Sequence, residues 1–534
     1  MDFLADRYNS RRSVTMARRG VVATSQPLAV QAGISMLQQG GNAVDAALAT
    51  AIALTVVEPT SNGIGADAFA LVWDGQKLHG LNGSGRAPRA LNLDVLTGQG
   101  HTAMPTRGWT PVTVPGAPAA WRDLHSRFGK LPFDSLFQPA IYYAEHGYPL
   151  SPILAYYWGR AASVYAQDWG AEFAGWMETF APGGRAPGAG EIWASPGHAD
   201  TLRRVAASRA EDFYQGEIAR KIAQFAEQTG GYITLEDLAA HASTWVEPIS
   251  AGYRGYEAWE IPPNGQGLAA LIGLNILEGL EVTASERDSA ESFHVQIEAM
   301  KLGFADALRY VADPDFVEVP TERLLDKGYA ATRRRLIRER ALEPEAGDPH
   351  SGGTVYLCAV DGDGMMVSYI QSNYMGFGSG VVVPGTGIAL QNRGANFSLD
   401  PSHPNRIEPG KRPYHTIIPG FLTRGGEAVG PFGVMGGFMQ PQGHLQMVVN
   451  TVDYAMNPQA SLDAPRWQWT GGKHVEIEAD ADPGIIEGLR ARGHEIEVVE
   501  PGGGFGRGQI IWRLDSGAYA AGSDKRADGY AAGI

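Results

Sequence analysis

A predicted β-hairpin that follows two glycines constrains the fold of this chain more than any other feature. The stretch HSGGTVYLCAVDGDGMMVSYIQS ends at Ser372. Its alternating residues predict a strand from Thr354, a turn at the Asp-Gly repeat and a returning strand. Thr354, Tyr356 and Cys358 should share one face, because side chains alternate across a strand. Two interpretations of Gly-Gly-Thr at the start of a buried hairpin are open. It is an ordinary strand start, which is much the commoner case, or the threonine is a reactive group.

The chemical interpretation is that Thr354 acts as a nucleophile. A threonine hydroxyl is activated when its own α-amino group serves as the base, and a free α-amine has a pKa of about 7.7–8.0. To free that amine, the Gly353–Thr354 bond must break, most simply by attack of the hydroxyl on the preceding carbonyl. Gly352 and Gly353 carry no side chains that obstruct this attack. Cys358 is a rival nucleophile, but no Lys or His adjoins it, and core filling is the favoured interpretation.

Length, charge and cysteine content exclude several classes of protein. A chain of 534 residues is expected to form two or more core-sized units. With a net charge of −15 and no basic block, nucleic acid is a poor partner. The single cysteine excludes an intrachain disulfide and a multi-cysteine metal site. No apolar signal segment or membrane-spanning run is evident, which predicts a cytoplasmic protein without a membrane partner.

Hydrophobic periodicity predicts helices and strands on both sides of one irregular segment. The segment from Leu342 to Gly353 is acidic, then Pro/Gly-rich, and predicts an exposed loop at an internal boundary. Helical patterning covers Gln26–Gln39, Gly41–Val57 and Ala290–Ala312. Strand patterning covers Ala68–Trp73, Thr354–Val360, Met365–Ile370, Gln509–Leu514 and Tyr519–Ala521. Mixed α and β layers over a shared core are therefore expected.

Seven ordered stretches resemble the γ-glutamyltranspeptidase (glutathione hydrolase) family over nearly the whole chain. They are GVVATSQPLA, GGNAVDAALATAIALTVVEP, PPNGQGLAALIGLNILEG, EAMKLGFADALRYVADPDF, TVYLCAVDGDG, KRPYHTIIP and GGFMQPQGHLQMVVN. The variant GSGRAP (Gly83 to Pro88) is similar to the glutathione hydrolase-like bacterial branch. The resemblance implies an α+β fold, the four-layer αββα sandwich of the N-terminal nucleophile hydrolases.

The same resemblance implies a set of catalytic residues. Thr354 would be both the cleavage residue and the nucleophile, so that the precursor yields a large chain, 1–353, and a small chain, 354–534, sharing one core. Ser372 falls where the family places a second hydroxyl that supports the new amino terminus. Gly436 and Gly437 match the glycine pair whose N–H groups form the oxyanion hole. No cofactor and no metal are implied.

The sequence departs from the family where the donor's free α-amino and α-carboxylate groups are bound. Ser84 occupies the place of the family's carboxylate-binding arginine, and Arg86 follows two positions later. His415-Thr416 replaces a serine pair after Lys-Arg-Pro, and Asn396 replaces the acidic partner of the α-amine. These changes remove a strong carboxylate anchor and the charge complement to an ammonium.

Two interpretations of the donor stay open at this point. Either Arg86 or Arg393 replaces the missing arginine and the donor is γ-glutamyl, or the substrate is a different carboxylate-bearing amide. The resemblance extends to cephalosporin (glutaryl) acylases and oxamate amidohydrolase. An unprocessed relative that only binds a small acid is the non-enzymatic alternative. Hydrolysis against transfer, and a homodimer of processed pairs, are not decided by the sequence.

Overall fold

The computed structural model describes residue 8 and residues 12–344, 353–500 and 504–534. The strands are β1 Thr15–Ala17, β2 Gly20–Thr24, β3 Asp67–Trp73, β4 Leu78–Gly83, β5 Tyr148–Pro149, β6 Ile192–Trp193, β7 Thr244–Val246, β8 Ile249–Tyr253, β9 Tyr256–Glu260, β10 Gly353–Asp361, β11 Met366–Tyr374, β12 Gly420–Arg424, β13 Glu427–Met435, β14 Trp467–Gly471, β15 His474–Glu478, β16 Glu495–Val499, β17 Arg507–Arg513, β18 Tyr519–Ser523 and β19 Tyr530–Gly533.

The α-helices are α1 Pro27–Gln38, α2 Ala43–Val57, α3 Leu93–Gly98, α4 Ala117–Phe128, α5 Gln138–His146, α6 Pro152–Tyr165, α7 Ala174–Phe180, α8 Pro196–Ala207, α9 Glu211–Gln215, α10 Glu217–Thr229, α11 Leu235–Ala239, α12 Gly267–Leu277, α13 Ala290–Tyr310, α14 Thr321–Leu324, α15 Lys327–Arg334, α16 Met439–Val452, α17 Pro458–Asp463 and α18 Pro483–Ala491. None of these helices is long and apolar enough to cross a bilayer.

Two seven-stranded sheets form the centre of the protein. One has the order β1-β18-β17-β13-β12-β9-β8, and the other has the order β19-β2-β10-β11-β3-β4-β7. Both sheets combine strands from before and after residue 353. An apolar layer between the sheets contains Phe69, Tyr356, Phe421 and Ile511. Separate apolar clusters lie on the outer faces, one with α1 and α2 and the other with α12 and α13. This is the expected four-layer αββα sandwich.

The helix that packs against β10 illustrates how local sequence builds these layers. Asn42 accepts hydrogen bonds from the N–H groups of Val44 and Asp45, while Asp45 accepts one from the Asn42 N–H. This capping box starts α2. Every residue of α2 is buried, because the helix is apolar all round and lies between the sheet and other helices. The helix expected over Gly41–Val57 is therefore confirmed.

The predicted hairpin is the central pair of its sheet. β10 and β11 pair antiparallel, and Gly353 lies opposite Tyr374 with a register shift before Val355. Tyr356 and Cys358 face the layer between the sheets, whereas Val355 and Leu357 face the helices. The alternation expected from the sequence is therefore confirmed. Residues 345–352, most of the predicted boundary loop, lie outside the described residues.

Candidate active site

Two hydroxyl groups meet at the end of the central hairpin. Thr354 on β10 and Ser372 on β11 are both fully buried, and their Oγ1 and Oγ atoms are 3.0 Å apart. Ser372 Oγ also accepts a hydrogen bond of 2.8 Å from the Tyr374 N–H. Ser372 thus holds the threonine hydroxyl in a defined position, and it does so from a rigid central strand rather than a loop.

Tyr374 closes this corner of the site in an unusual backbone conformation. Its φ angle is +78°, a left-handed region that non-glycine residues rarely adopt. Its ring lies over Arg393, with the guanidinium carbon 4.5 Å from the ring centroid. The hydrogen bond to Ser372 fixes the backbone. The tyrosine therefore links the hydroxyl pair to a buried positive charge.

Gly436 and Gly437 lie between β13 and α16, where the chain turns sharply. Their φ angles are +131° and +60°, which only glycine adopts without strain. Gln266 donates from Nε2 to the Gly437 carbonyl at 2.8 Å and to the Thr416 carbonyl at 2.5 Å. The glycine pair directly precedes the start of α16, where backbone N–H groups and the helix dipole favour negative charge.

A buried acid-imidazole pair lies beside the hydroxyls. Asp67 lies opposite Ser372 in the β3–β11 register, and its Oδ2 is 3.0 Å from His415 Nε2. Burial raises the pKa of Asp67 from 3.8 to about 7, although the nearby positive charge of Arg393 opposes this. Burial also lowers the pKa of His415 well below its ordinary value, and the charges of Arg393 and Arg412 add to this effect. The imidazole is therefore neutral at working pH.

Arg393 presents unused hydrogen-bond donors inside the protein. It lies in a 3₁₀ turn, Arg393–Asn396, and is fully buried. Nη1 donates to Thr416 Oγ1 at 2.5 Å, whereas Nε and Nη2 have no partner within the described residues. Unpaired buried donors are costly, so this corner suits an oxygen-rich ligand group.

The other predicted donor-binding residues have partners of their own. Ser84 Oγ donates to Asn82 Oδ1 at 2.6 Å. The Arg86 guanidinium contacts Asp313 at 3.2 Å and Asp315 at 2.6 Å. Two carboxylates thus already neutralise Arg86, and of the two arginines named from the sequence the geometry favours Arg393 as the anchor.

Sequence reasoning missed three residues that shape this site, namely Asp67, Gln266 and Tyr374. A lone acid at the start of an otherwise apolar strand, in GADAFALVW, was a usable signal for Asp67. Gln266 lies in PPNGQG, part of one of the stretches that resemble the family. The backbone conformation of Tyr374 has no sequence signal.

Two cavities flank the segment that follows β11. One is a cleft of about 1350 Å³ lined by Tyr374, Asn396 and Tyr414. The other, of about 620 Å³, is lined by Gly436 and by residues of α6. Met375 and Thr106 line both. The two cavities therefore lie on either side of this segment and differ in their lining side chains.

Within the described residues, His294, Glu298 and His494 form a cluster with the composition of a metal site. Their existing contacts do not suit a cation. His294 Nδ1 and His494 Nε2 are 2.8 Å apart and bond to each other. Lys301 Nζ is 2.8 Å from Glu298 Oε1, and both groups are buried. The ammonium already compensates the carboxylate, which identifies a structural polar cluster.

Comparisons with known proteins identify the family of the chain. The sequence matches the model of the gamma-glutamyltranspeptidase family over residues 29–534. A cephalosporin acylase from Bacillus halodurans is 57% identical, with a TM-score of 0.95 over 100% of this chain and 99% of that one. The glutathione hydrolase-like YwrD proenzyme of Bacillus subtilis is 37% identical, covering 96% of this chain and 98% of its own. The oxamate amidohydrolase proenzyme of Klebsiella pneumoniae is 33% identical over 98% and 99%.

The fold and the site define an amide hydrolase of the N-terminal nucleophile class. Within that class, the chain belongs to the γ-glutamyltranspeptidase family.

Proposed function

We propose that the protein is an autoprocessed amidohydrolase in which Thr354 is the N-terminal nucleophile. The observation that carries this proposal is the buried Thr354–Ser372 hydroxyl pair, 3.0 Å apart at the end of the central hairpin. In the precursor, Thr354 Oγ1 attacks the Gly353 carbonyl and the peptide nitrogen leaves as the new α-amine. Water then hydrolyses the resulting ester, which separates residues 1–353 from 354–534.

Turnover uses the same hydroxyl on an external amide. The freed α-amine takes the Thr354 hydroxyl proton as Oγ1 attacks the substrate carbonyl, and returns it to the departing amine nitrogen. The N–H groups of Gly436 and Gly437 stabilise the developing oxyanion. Ser372 keeps Oγ1 oriented through the hydrogen bond. Water, or a second amine, releases the acyl group from Thr354.

The acyl donor is an amide whose acyl group ends in a carboxylate and lacks a free α-amine. Arg393 supports the carboxylate, because its Nε and Nη2 groups have no other partner within the described residues. Asn396 supports a donor without an α-amine, because a neutral amide offers no negative charge to an ammonium. Asp67 does not replace that charge, since its raised pKa leaves it partly protonated near neutrality and it already contacts His415. A glutaryl-type donor fits these groups.

γ-Glutamyl hydrolysis is the second candidate function. It is favoured by the family match over residues 29–534 and by the 37% identity to a protein named glutathione hydrolase-like. A γ-glutamyl donor carries the same carboxylate plus an ammonium. The two candidates are therefore separated by a matched pair of donors that differ only in the α-amino group.

Intact-mass spectrometry with N-terminal sequencing tests the nucleophile. Wild-type protein incubated at neutral pH is expected to yield a small fragment beginning Thr-Val-Tyr-Leu-Cys. Thr354→Ala is expected to stay whole and inactive, whereas Thr354→Ser retains a hydroxyl and processes slowly. Cys358→Ser is the matched control, because it alters the rival nucleophile on the same strand face and should process normally. An active, cleaved Thr354→Ala protein would disprove the mechanism.

A further inference from the structure

A second buried acid–imidazole pair, separate from Asp67 and His415, joins α16 to the central sheet. Glu260 is the last residue of β9, and His444 lies in the second turn of α16. Both side chains are buried, and Glu260 Oε1 is 2.5 Å from His444 Nδ1. The remaining polar atoms, Oε2 and Nε2, have no hydrogen-bond partner within the described residues. Each buried group therefore depends on the other for its polar contact.

The chain that leads into α16 couples this helix to the proposed oxyanion donors. Only Gly436, Gly437 and Phe438 connect β13 to α16. The Met439 N–H donates to the Gly436 carbonyl at 3.0 Å, and the Gln440 N–H donates to the Gly437 carbonyl at 3.2 Å. The Gly436 carbonyl and the Gly437 N–H belong to one planar trans peptide unit and point in opposite directions. The first turn of α16 therefore sets the direction of the Gly437 N–H.

The segment that runs from β9 to α12 contacts this region at two separate points. Gln266 Nε2 donates to the Gly437 carbonyl at 2.8 Å, at the start of the helix. Glu260 binds His444, which the helical rise places about 7.5 Å along the axis from Met439. A helix held at one point can pivot, whereas two contacts at different heights fix its rotation as well as its position.

Close packing on both sides makes the orientation of α16 specific. A Cβ on Gly443 would lie 2.3 Å from Val434 Cγ1, so the helix lies directly on β13. On another side, Gln442 and Gln446 bind backbone groups of β14. The Glu260–His444 pair supplies a side-chain contact to the central sheet, and it is made to the same segment that holds Gly437.

We propose that Glu260 and His444 are positioning residues that aim the Gly437 N–H at the reacting carbonyl oxygen. The inference rests on the proposed function, in which this N–H stabilises the oxyanion. Without the pair, α16 can turn about the Gln266 contact, and the N–H turns with it. Negative charge develops on the oxygen only as the transition state forms, so misalignment should lower kcat and leave KM unchanged.

Kinetics with glutaryl-4-nitroanilide test this role. His444→Leu removes the contact at similar volume and should lower kcat about tenfold, while KM changes less than about twofold. His444→Asn keeps a polar group near the Nδ1 position and should restore kcat to within about threefold of wild type. The matched control is Tyr253→Phe, which removes a 2.6 Å hydrogen bond to Asp453 at the other end of α16 and should change neither constant. An unchanged kcat in processed, folded His444→Leu, or an equal loss in Tyr253→Phe, overturns the proposal.

Hydrogen exchange separates failure of this inference from failure of the proposed function, because it requires no turnover. In a full chain that carries Thr354→Ala, adding His444→Leu should speed exchange of the Met439 and Gln440 amides about tenfold, whereas adding Tyr253→Phe should not. These two amides bond to the glycine carbonyls. Faster exchange there supports the positioning role even if glutaryl-4-nitroanilide is not a substrate. Unchanged exchange overturns it even if glutaryl amides are good substrates.

Discussion

Replacing Arg393 by glutamine should abolish the preference for a carboxylate-bearing acyl group while leaving the nucleophile intact. The guanidinium is fully buried and keeps Nε and Nη2 unpaired within the described residues. Glutamine retains a polar group near Thr416 but has neither the charge nor the fork geometry. Its effect should therefore fall on donor recognition rather than on attack by Thr354.

The size of the effect follows from the two donors that are available. A hydrogen bond to a charged group contributes about 1.5–3 kcal/mol net. The two bonds share one desolvation cost, so we expect about 3 kcal/mol in total, which corresponds to a roughly hundredfold change in kcat/KM. The substitution should not leave a buried negative charge unpaired, because the positive charge of Arg393 is one of the groups that lower the pKa of Asp67. Without Arg393 the Asp67 carboxyl should stay protonated.

Three 4-nitroanilides form the assay: glutaryl, pentanoyl and γ-glutamyl. Pentanoyl has the same chain length as glutaryl but no carboxylate, and γ-glutamyl adds only the α-amine. Wild type should prefer glutaryl to pentanoyl by about a hundredfold, and Arg393→Gln should reduce this ratio to within about threefold. Arg393→Lys should give an intermediate ratio, because a lysine has no planar fork. Glutaryl should also exceed γ-glutamyl in wild type, since Asn396 offers the ammonium no charge.

The control substitution is Arg86→Gln, because Asp313 and Asp315 already occupy that guanidinium. It should lower thermal stability slightly and leave the glutaryl-to-pentanoyl ratio unchanged. Each variant is first checked for processing and cooperative unfolding. A hundredfold ratio that persists in processed, folded Arg393→Gln would refute the assignment. Loss of the ratio in Arg86→Gln would transfer the role to Arg86.

Two further predictions concern the buried acid and the oxyanion glycines. Asp67 should make the folded state less stable as pH rises from about 4 to about 7, because its pKa is raised from 3.8 to about 7 and the folded state holds the proton more tightly. Relative to Asp67→Asn, the free energy of unfolding of the wild type in urea should therefore fall by up to about 4 kcal/mol over this range. A difference between the two proteins that does not change with pH would contradict the burial argument. Gly436→Ala should lower kcat about 100-fold, because φ is +131° and a Cβ would lie 3.1 Å from Gly506 Cα. Gly426 also has a positive φ, +83°, but a Cβ at this position would meet open space. Gly426→Ala should therefore cost only about 1 kcal/mol of stability. Equal kinetic losses in the two variants would argue against an oxyanion role for Gly436.

The elements that local sequence predicts well are those whose pattern is complete within a few residues. The helix expected over Gly41–Val57 is found at Ala43–Val57, and the strand expected over Ala68–Trp73 begins one residue earlier, at Asp67. Continuous burial and a capping box mark the helix, and a glycine turn marks the end of the strand. The layer order was not predictable from such patterns. It came from the family resemblance, because strands that are hundreds of residues apart pair in both sheets.

The proposed donor site shows why residue types alone could not decide between two candidate arginines. Arg86 and Arg393 are equivalent candidates in the sequence, since each lies within a family motif in which one expected residue is replaced. They differ in which side chains the fold brings to them. Aspartates more than two hundred positions away neutralise Arg86, whereas Arg393 meets a tyrosine ring and a single threonine hydroxyl. A ligand-binding arginine must keep donors unpaired in a buried place, and that property belongs to the tertiary neighbours rather than to the arginine. Under the proposed function, the loss of the family's arginine at Ser84 would therefore change where a carboxylate is bound, not whether one is.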